Sequence, residues 1–534
     1  MGSNSATPQQ TLHQKLMQDA LASVVVFLVA LPLCMGIAIA SGVPIDKAAP
    51  LGLMTGIVGG LIVGSLSGCR LQVTGPAAGL AVIVAQLIQQ HGFQTLGVIV
   101  FWAGAIQLLA GVFRLGQVFR AVAPAVIQGM LAGIGVLIFA SQFHVMVDDS
   151  PPGTGRDFGG VINLVTIPQA IWKGVVPQDG TAHHWAALIG VITIGALLLW
   201  GLFSPKKLKL VPAPLIGVLV AMGVAAALNP PIQFINLPDN MLDVVRWPLL
   251  PWPEFGQIMS GPIIIAALAM AFVASAESLL TATACDRMQQ RTPRTNYDRE
   301  MGAQGVGNIV CGMLGFLPLT GVIVRTAANV QAGAWTRAST VLHGVWLVIF
   351  VMLFPHVLQL IPISALAAVL VFTGVKLMNP QAVRELQKFG KGEVAIYAAT
   401  LGTVVVVDLL TGIVVGIGLA LAKLLYRFSH LRIEIEESPE NNGRTLLRMN
   451  GSATFIRVPR LAAALEQVHP STELHVDFEH LNYIDHACLD LLINWEKQHE
   501  ATGGTLVIDW KSLHAKFHGE TDEPGHTLQQ KDVA

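Results

Sequence analysis

Long apolar stretches alternate with short polar loops along most of this chain. A helix that crosses a bilayer needs about 20 mostly apolar residues. Residues 17–428 hold fourteen candidate segments, at 17–40, 47–65, 75–90, 93–113, 119–141, 187–203, 210–229, 261–284, 300–316, 321–334, 339–359, 361–378, 393–410 and 412–428. The pattern predicts an α-helical membrane protein whose transmembrane domain is 17–428, preceded by a cytoplasmic N-terminal segment, 1–16.

Two of the fourteen segments are too short to span a bilayer. Residues 75–90 follow the break Val73-Thr74-Gly75-Pro76, and residues 321–334 follow Pro318-Leu319-Thr320-Gly321. Each is the third segment in its half of seven. Interrupted helices at matching positions indicate inverted repeats with a substrate site between them. Because seven is odd, the second half would enter the membrane in the opposite sense, which predicts two inverted seven-helix repeats.

Composition supports a membrane protein with a separate soluble domain. Hydrophobic residues make up 53% and charged residues 12%, against about 25% charged residues in soluble proteins, which excludes a soluble enzyme. Residues 429–534 nevertheless carry 9 basic and 17 acidic residues. The sequence has no basic stripe with aromatic residues that would indicate nucleic-acid binding. It also has no residue pattern that predicts a metal site built from protein ligands alone.

Basic residues fix the expected orientation, since cytoplasmic loops retain Lys and Arg. Loops that follow even-numbered segments hold clusters such as Lys206, Lys207 and Lys209, then Arg287, Arg291, Arg294 and Arg299. The opposite loops are mainly acidic. We therefore expect both termini on the cytoplasmic side of the membrane.

The two breaks have the chemistry of an anion site. A helix that begins inside the membrane presents unpaired N–H groups and about half a positive charge. Two such starts facing each other suit a small anion that must bind and then leave. Gly75 and Gly321 allow close backbone approach, and Thr74 and Thr320 are expected either to cap the helices or to donate a hydroxyl to the anion.

Charged residues inside the apolar segments are further candidates, because burying a charge in a membrane is costly and usually functional. Arg325 lies one turn after Gly321; the alternatives are a structural ion pair and a cytoplasmic snorkelling side chain. Glu277 and Thr281 lie four residues apart on one helix face. They would bind Na⁺, or Glu277 would carry a proton; the alternative is a static salt bridge to Arg325. Asp408 is interpreted as a solvated cap.

The acidic tail has the alternating pattern of a small α/β domain. TLLRMNG, ELHVDF and TLVIDW read as strands, and RVPRLAAALEQV and DHACLDLLINWEKQH read as helices. Residues 521–534 are polar and are expected to be disordered.

Four ordered motifs resemble those of the SulP family of inorganic-anion transporters, which includes sulfate permeases and some bacterial bicarbonate transporters. They are ALPLCMGIAIASGVP, QVTGPAAGLAVIVAQ, ESLLTATACDRM and PLTGVIVRTAANVQAGAWTRAS. Residues 429–520 resemble the cytoplasmic STAS domain of that family. In some STAS domains the turn before the second helix carries a phosphorylated serine. Here the turn is Asp485-His486-Ala487-Cys488, so a phosphoserine switch is not expected.

The resemblance implies a mobile core domain, a gate domain and a homodimer. It places the anion between the starts of the third and tenth segments, at Thr74, Gly75, Pro76, Thr320, Gly321, Val322 and Arg325. Sodium-dependent bicarbonate members have an acid followed four residues later by Thr, a spacing that Glu277 and Thr281 keep. No cofactor is expected apart from Na⁺ as a coupling ion.

Together these features predict a secondary active transporter of a small inorganic anion, with bicarbonate favoured over sulfate and with coupling to Na⁺ or H⁺ through Glu277. One alternative is a sulfate or dicarboxylate symporter of the same fold. Another is an anion channel, or a sensor whose output passes through the STAS domain.

Overall fold

The computed structural model describes residues 11–117, 123–153, 158–177, 181–205, 211–238, 241–245, 260–437 and 444–508. The chain divides into two compact units, Met1–Ile417 and Gly418–Ala534. Lys206, Lys207 and Lys209 of the predicted cytoplasmic loop lie outside the described residues, as does the 521–534 segment that was expected to be disordered.

The first unit is almost entirely helical. Its helices are α1 (Leu12–Ala40), α2 (Ile45–Leu66), α3 (Ala78–His91), α4 (Phe93–Val112), α5 (Pro124–Met146), α6 (Gly159–Val165), α7 (Ile167–Val175), α8 (His183–Phe203), α9 (Ala213–Leu228), α10 (Gly261–Met288), α11 (Tyr297–Leu314), α12 (Ile323–Gln331), α13 (Ala338–Leu353), α14 (Pro355–Gln359), α15 (Ile363–Met378), α16 (Pro380–Gln387) and α17 (Lys391–Val406). Helix α18 (Leu409–Phe428) begins in this unit and ends in the second. Two short strands, β1 (Thr74–Gly75) and β2 (Thr320–Gly321), interrupt the helical pattern.

Each of the fourteen predicted segments contains a helix. Eight helices of the described chain are long and apolar enough to cross a membrane, and α9 and α13 are shorter apolar helices. Helices α3 and α12 have 14 and 9 residues, or about 21 and 14 Å at 1.5 Å per residue. Both are shorter than the roughly 30 Å hydrocarbon core. The fold is a multi-pass membrane fold with two short helices, whereas the count of fourteen crossings stays a prediction.

Two helix boundaries differ from the predicted ones because of capping chemistry. Helix α1 begins at Leu12 rather than at residue 17, since Thr11 and Gln14 form a reciprocal capping box. Helix α5 covers Pro124–Met146 instead of 119–141, and Pro124 is its first residue. A proline lacks the N–H that an interior helical position requires, so it favours the first turn.

The helices of the first unit pack as two bundles. Helices α1–α4 pack with α10–α13, whereas α5 packs with α15 and α17, and α8 with α9 and α15. Glycines allow the closest approach: a Cβ atom at Gly104 of α4 would lie 2.5 Å from the Ile309 N of α11, as in small-residue interfaces of membrane helices. The seam between the bundles is formed by α1 and α3 against α5, α9 and α15.

The second unit contains a five-stranded sheet. Its strands are β3 (Leu431–Glu437), β4 (Arg444–Ala453), β5 (Glu473–Asp477), β6 (Leu481–Ile484) and β7 (Thr505–Ile508). β4 pairs with β3 in antiparallel fashion and with β5 and β6 in parallel, and β7 joins β5 in parallel. The predicted α/β domain is confirmed, although β3 and β6 were not predicted.

Two helices cover this sheet. Helices α19 (Val458–Leu465) and α20 (His486–Ala501) contribute Leu461, Leu465, Cys488 and Leu492 to the core formed with the strands. Asp485 is the N-cap residue of α20, where its carboxylate accepts from the Cys488 N–H at 2.9 Å and from the Phe455 N–H. The Asp485–Cys488 turn therefore has a structural capping role.

Candidate functional site

The structure brings the two breaks together as a miniature antiparallel sheet. Thr74 pairs with Gly321 and Gly75 pairs with Thr320. The Val322 N–H extends the pairing by donating to the Val73 carbonyl at 2.8 Å. Helix α3 begins three residues after β1, and α12 begins two residues after β2. Two halves that enter the membrane in opposite senses would place their equivalent strands antiparallel. The observed pairing therefore agrees with the predicted inverted repeats.

Neither half-helix is capped by the side chain of its own N-cap residue. The N-cap residues are Ala77 for α3 and Val322 for α12, and neither makes a side-chain capping bond. The predicted capping role of Thr74 and Thr320 is therefore wrong, because both threonines lie in the strands, before the cap positions. First-turn N–H groups without a cap keep their hydrogen-bonding capacity and their share of the helix dipole.

Three hydroxyl groups, two on helix α10 and one on β2, hold β2 against α10. The Thr320 hydroxyl donates to the Ala274 carbonyl at 2.9 Å and lies 2.5 Å from the Ser278 hydroxyl. Ser278 in turn accepts from the Gly321 N–H at 3.1 Å, and Thr281 donates to the Gly321 carbonyl at 3.0 Å. The Thr320 proton is thus used within the protein, and Thr281 holds the backbone of the break.

Arg325 reaches from the first turn of α12 to the backbone of Pro76, which directly follows β1. Its side chain is fully buried, and Nη2 donates to the Pro76 carbonyl at 3.3 Å. Among the described residues its Nε and Nη1 atoms have no hydrogen-bond partner, and the guanidinium interacts electrostatically with the buried Cys34 side chain. A Cβ atom at Gly75 would collide with Nη1, so glycine is required there for this approach. Since unpaired buried donors of a cation are costly, this guanidinium has the properties of an anion-binding group.

Glu277 places its carboxylate at the first turn of α3. A Cβ atom at Gly79 would lie 2.6 Å from Glu277 Oε2, and the Gly79 backbone amide interacts with this carboxylate. Oε2 is buried and has no hydrogen-bond partner. The expected alternative of a salt bridge to Arg325 is not present, because no guanidinium nitrogen lies within 4.0 Å of a Glu277 carboxylate oxygen.

Three polar side chains on one face of α11, which were not predicted from the sequence, form hydrogen bonds at both breaks. Glu300, Gln304 and Asn308 recur every four residues, so they share one helix face. Gln304 Nε2 donates to the Thr74 hydroxyl at 3.0 Å. Asn308 accepts from the Leu319 N–H at 2.8 Å and donates to the Leu319 carbonyl at 3.0 Å. The four-residue period within the otherwise apolar stretch 300–316 is the signal that could have identified them.

A π-helical turn in α2 lies against β1. It comprises Gly59–Val63, and a Cβ atom at Gly59 would collide with the Thr74 carbonyl. Turns of this kind often occur at functional sites.

Asp408 accepts from the Thr411 N–H at 2.8 Å and from the Thr411 hydroxyl at 2.9 Å. This is the cap that the sequence predicted.

A multi-pass helical fold with two half-helices starting from paired strands defines a membrane transport protein. The sulfate permease family model matches residues 16–400, and the Mlab, STAS domain model matches residues 439–514. The chain therefore belongs to the sulfate permease family and carries a C-terminal STAS domain, as the sequence motifs indicated; it is a transporter and not an enzyme.

Individual relatives cover most of the chain. The "Putative sulfate transporter YvdB" of Bacillus subtilis is 29% identical over 512 residues, covering 93% of this chain and 91% of that protein. The "Bicarbonate transporter BicA" of Picosynechococcus sp. is 24% identical over 433 residues, covering 78% and 71%. The structure of murine Solute Carrier 26 family member A9, an anion transporter in the inward-facing state, superposes with a TM-score of 0.76 at 14% identity, covering 96% and 89%; this likeness shows the fold alone.

Proposed function

We propose that this protein is a secondary active transporter of a small inorganic anion, with bicarbonate favoured. In this proposal the anion binds between the starts of α3 and α12, next to Thr74, Gly75, Pro76, Thr320, Gly321, Val322 and Arg325. The observation that carries the proposal is the fully buried Arg325 guanidinium, whose Nε and Nη1 lack partners beside two paired helix starts.

The charges of the site favour a small anion. Two helix starts contribute about +1 together, Arg325 contributes +1, and an ionised Glu277 contributes −1. The balance of about +1 suits monovalent bicarbonate. Sulfate, with two negative charges, would be balanced when Glu277 is neutralised. A planar guanidinium is also suited to bind two oxygens of one oxyanion.

Glu277 supports coupling to a cation. Its unpaired Oε2 lies at the α3 start, where a second negative charge would be repelled. A proton on the carboxylate, or Na⁺ beside it, would remove that repulsion and favour anion binding. The Glu277–Thr281 spacing resembles that of sodium-dependent bicarbonate members, although the Thr281 hydroxyl also donates to the Gly321 carbonyl.

Transport requires the site to open to water. Thr74, Thr320 and Arg325 are at most 2% exposed. We propose that the bundle of α1–α4 and α10–α13, the core, moves by a rocking or elevator-like motion against α5, α9 and α15 of the gate. The homodimer, the bacterial inner membrane location and the cytoplasmic termini belong to the same proposal.

Sulfate is the second candidate substrate. The relative that covers 93% of the chain is named a putative sulfate transporter, and one that covers 78% is named a bicarbonate transporter. The two substrates differ in charge, so they are expected to respond differently to a change in the charge of Glu277.

Uptake into proteoliposomes tests the proposal. Labelled bicarbonate and labelled sulfate are offered with Na⁺ or choline outside, each with and without a pH gradient. We expect saturable bicarbonate uptake that is stimulated by a Na⁺ or H⁺ gradient. An electrogenic current that does not saturate would instead indicate a channel, and absence of uptake of both anions would contradict the proposal and favour a sensor.

A further inference from the structure

Glu300 of α11 is a buried carboxylate that forms no ion pair with any residue the structure describes. Its side chain is 0% exposed, and its two oxygens differ in their surroundings. Oε2 is held by groups in the loop before β1, the Ser67 hydroxyl and the Cys69 N–H, the latter at 2.9 Å. Oε1 accepts only from two side-chain amides, Gln72 Nε2 at 2.9 Å and Gln304 Nε2 at 2.8 Å. One oxygen is therefore anchored by the loop, whereas the other faces groups that can rotate.

Both amides leave their own oxygen unpaired. Gln72 and Gln304 are 1% and 0% exposed, and neither Oε1 atom has a hydrogen-bond partner in the described part of the chain. Buried acceptors without partners are unfavourable. A half-turn about the last side-chain torsion would exchange nitrogen and oxygen in each amide and direct two oxygens at Glu300 Oε1. This arrangement is repulsive by itself and becomes favourable when a cation lies between the oxygens.

We propose that Glu300, Gln72 and Gln304 form a binding site for a small monovalent cation, with Na⁺ as the ion to test. Carboxylate and amide oxygens are ligands that hard cations prefer. A single carboxylate provides one negative charge, which matches a monovalent ion. The Thr74 hydroxyl, 3.0 Å from Gln304 Nε2, is close enough to supply a further oxygen.

The Arg337 guanidinium leaves this carboxylate oxygen accessible to a cation. Arg337 interacts electrostatically with Glu300, but its Nη2 atom donates to the Ser67 carbonyl at 2.6 Å, and the two side chains form no ion pair within 4.0 Å. Its charge therefore offsets part of the carboxylate charge from a distance, without occupying Oε1.

The site contacts both strands of the break, so binding of the cation would affect the anion site. Gln304 donates to Thr74 of β1, and Gln72 packs against Gly321 of β2. When Gln304 rotates toward a cation, Thr74 loses its donor and its hydroxyl changes partner. This inference deepens the proposed cation-coupled transport and rests on it: it adds a sodium site that affects the anion site, in addition to the coupling role proposed for Glu277.

Sodium binding to the purified full-length chain tests the site. Binding of ²²Na⁺ is measured in the absence of bicarbonate and sulfate, with choline gluconate keeping the ionic strength constant. We expect Glu300→Gln to weaken binding by about tenfold or more, and Gln72→Leu and Gln304→Leu by at least about threefold each. Asp408→Asn is the matched control, because this acid caps α18, and its sodium affinity should equal that of the unmodified chain.

The glutamine variants keep the test decisive if Glu300→Gln does not fold. Unchanged sodium affinity in Gln72→Leu and Gln304→Leu, or in a folded Glu300→Gln, would overturn the inference. Sodium binding that is lost in Glu277→Gln but retained in Glu300→Gln would do so as well. Saturable anion uptake by a chain that binds no sodium would refute this site alone. Sodium binding without any anion uptake would refute only the proposed function.

Discussion

Arg325 donates to the carbonyl of Pro76 across the two paired strands, at 3.3 Å, and so joins the start of α12 to the residue that precedes the N-cap of α3. One guanidinium therefore connects the starts of both broken helices. Its two unpartnered nitrogens, Nε and Nη1, are the ones available to a ligand.

Replacing Arg325 should weaken anion binding strongly. A hydrogen bond to a charged group contributes about 1.5–3 kcal/mol, so Arg325→Ala is expected to raise the anion dissociation constant by about tenfold or more. Arg325→Lys keeps the charge but loses the planar arrangement of donors, and should recover only part of the affinity. Calorimetric titration with bicarbonate and sulfate measures both. An affinity equal to that of the unmodified chain in a folded Arg325→Ala protein would make the arginine structural.

Glu277→Gln should uncouple anion uptake from the driving cation gradient. The neutral amide has the size of the carboxylate but cannot change its charge, so neither a proton nor Na⁺ would alter repulsion at the α3 start. The ratio of uptake with and without the gradient, measured in proteoliposomes, is expected to fall to about one. Sulfate uptake should suffer less than bicarbonate uptake. A variant that the gradient still drives would contradict the role of Glu277.

Gly79→Ala separates helix propensity from contact with Glu277. Propensity alone predicts a gain of about 1 kcal/mol in helix stability. The added Cβ atom would lie 2.6 Å from Glu277 Oε2, however, so we expect a lower melting temperature and reduced transport. Gly223→Ala in α9 is the control, because its Cβ atom meets nothing within 4 Å. Combining Gly79→Ala with Glu277→Ala should restore the melting temperature; failure to do so would show that another contact is responsible.

Asn308 should contribute to the stability of the bundle that holds the two breaks. Its side chain satisfies both backbone groups of Leu319 and also donates to Gln107 Oε1 at 2.7 Å. Asn308→Leu leaves these buried groups unpaired, at a cost of about 1–3 kcal/mol each. The thermal melting temperature of the purified protein should therefore fall. A melting temperature equal to that of the unmodified chain would mean that the groups find other partners.

The Cys488 thiol should react slowly with iodoacetamide at pH 8. Burial raises its pKa to about 12, and the Asp485 charge adds to the effect, so the reactive thiolate is scarce. The thiol of the unfolded chain ionises near pH 8.5; the folded STAS domain should therefore lose stability as the pH rises above that value. Mass spectrometry of the Cys488 peptide measures the labelling rate. Asp485→Asn keeps a capping oxygen and should speed labelling, and an unchanged rate would exclude a contribution from the Asp485 charge.

The amino-acid sequence by itself determined the elements and their order. Apolar length sets which segments become membrane helices, and Pro and Gly near residues 76 and 321 set where two of them start late, because these preferences are local. The STAS strands β4, β5 and β7 followed from their alternating pattern in the same way. Strand β3, LRIEIEE, was missed although it has that alternation, and it was assigned only through its pairing with β4.

Only the tertiary structure decided which polar atoms meet. The register Thr74–Gly321 joins residues that are distant in the chain, and no local preference specifies such a pairing. In the folded chain Thr320 bonds to Ala274 instead of capping a helix, and Glu277 is not paired with Arg325. Gln72 and Gln304 lie beside Glu300. Each of these polar groups is buried, so its partner depends on which helices pack together, and that packing is a property of the folded chain as a whole.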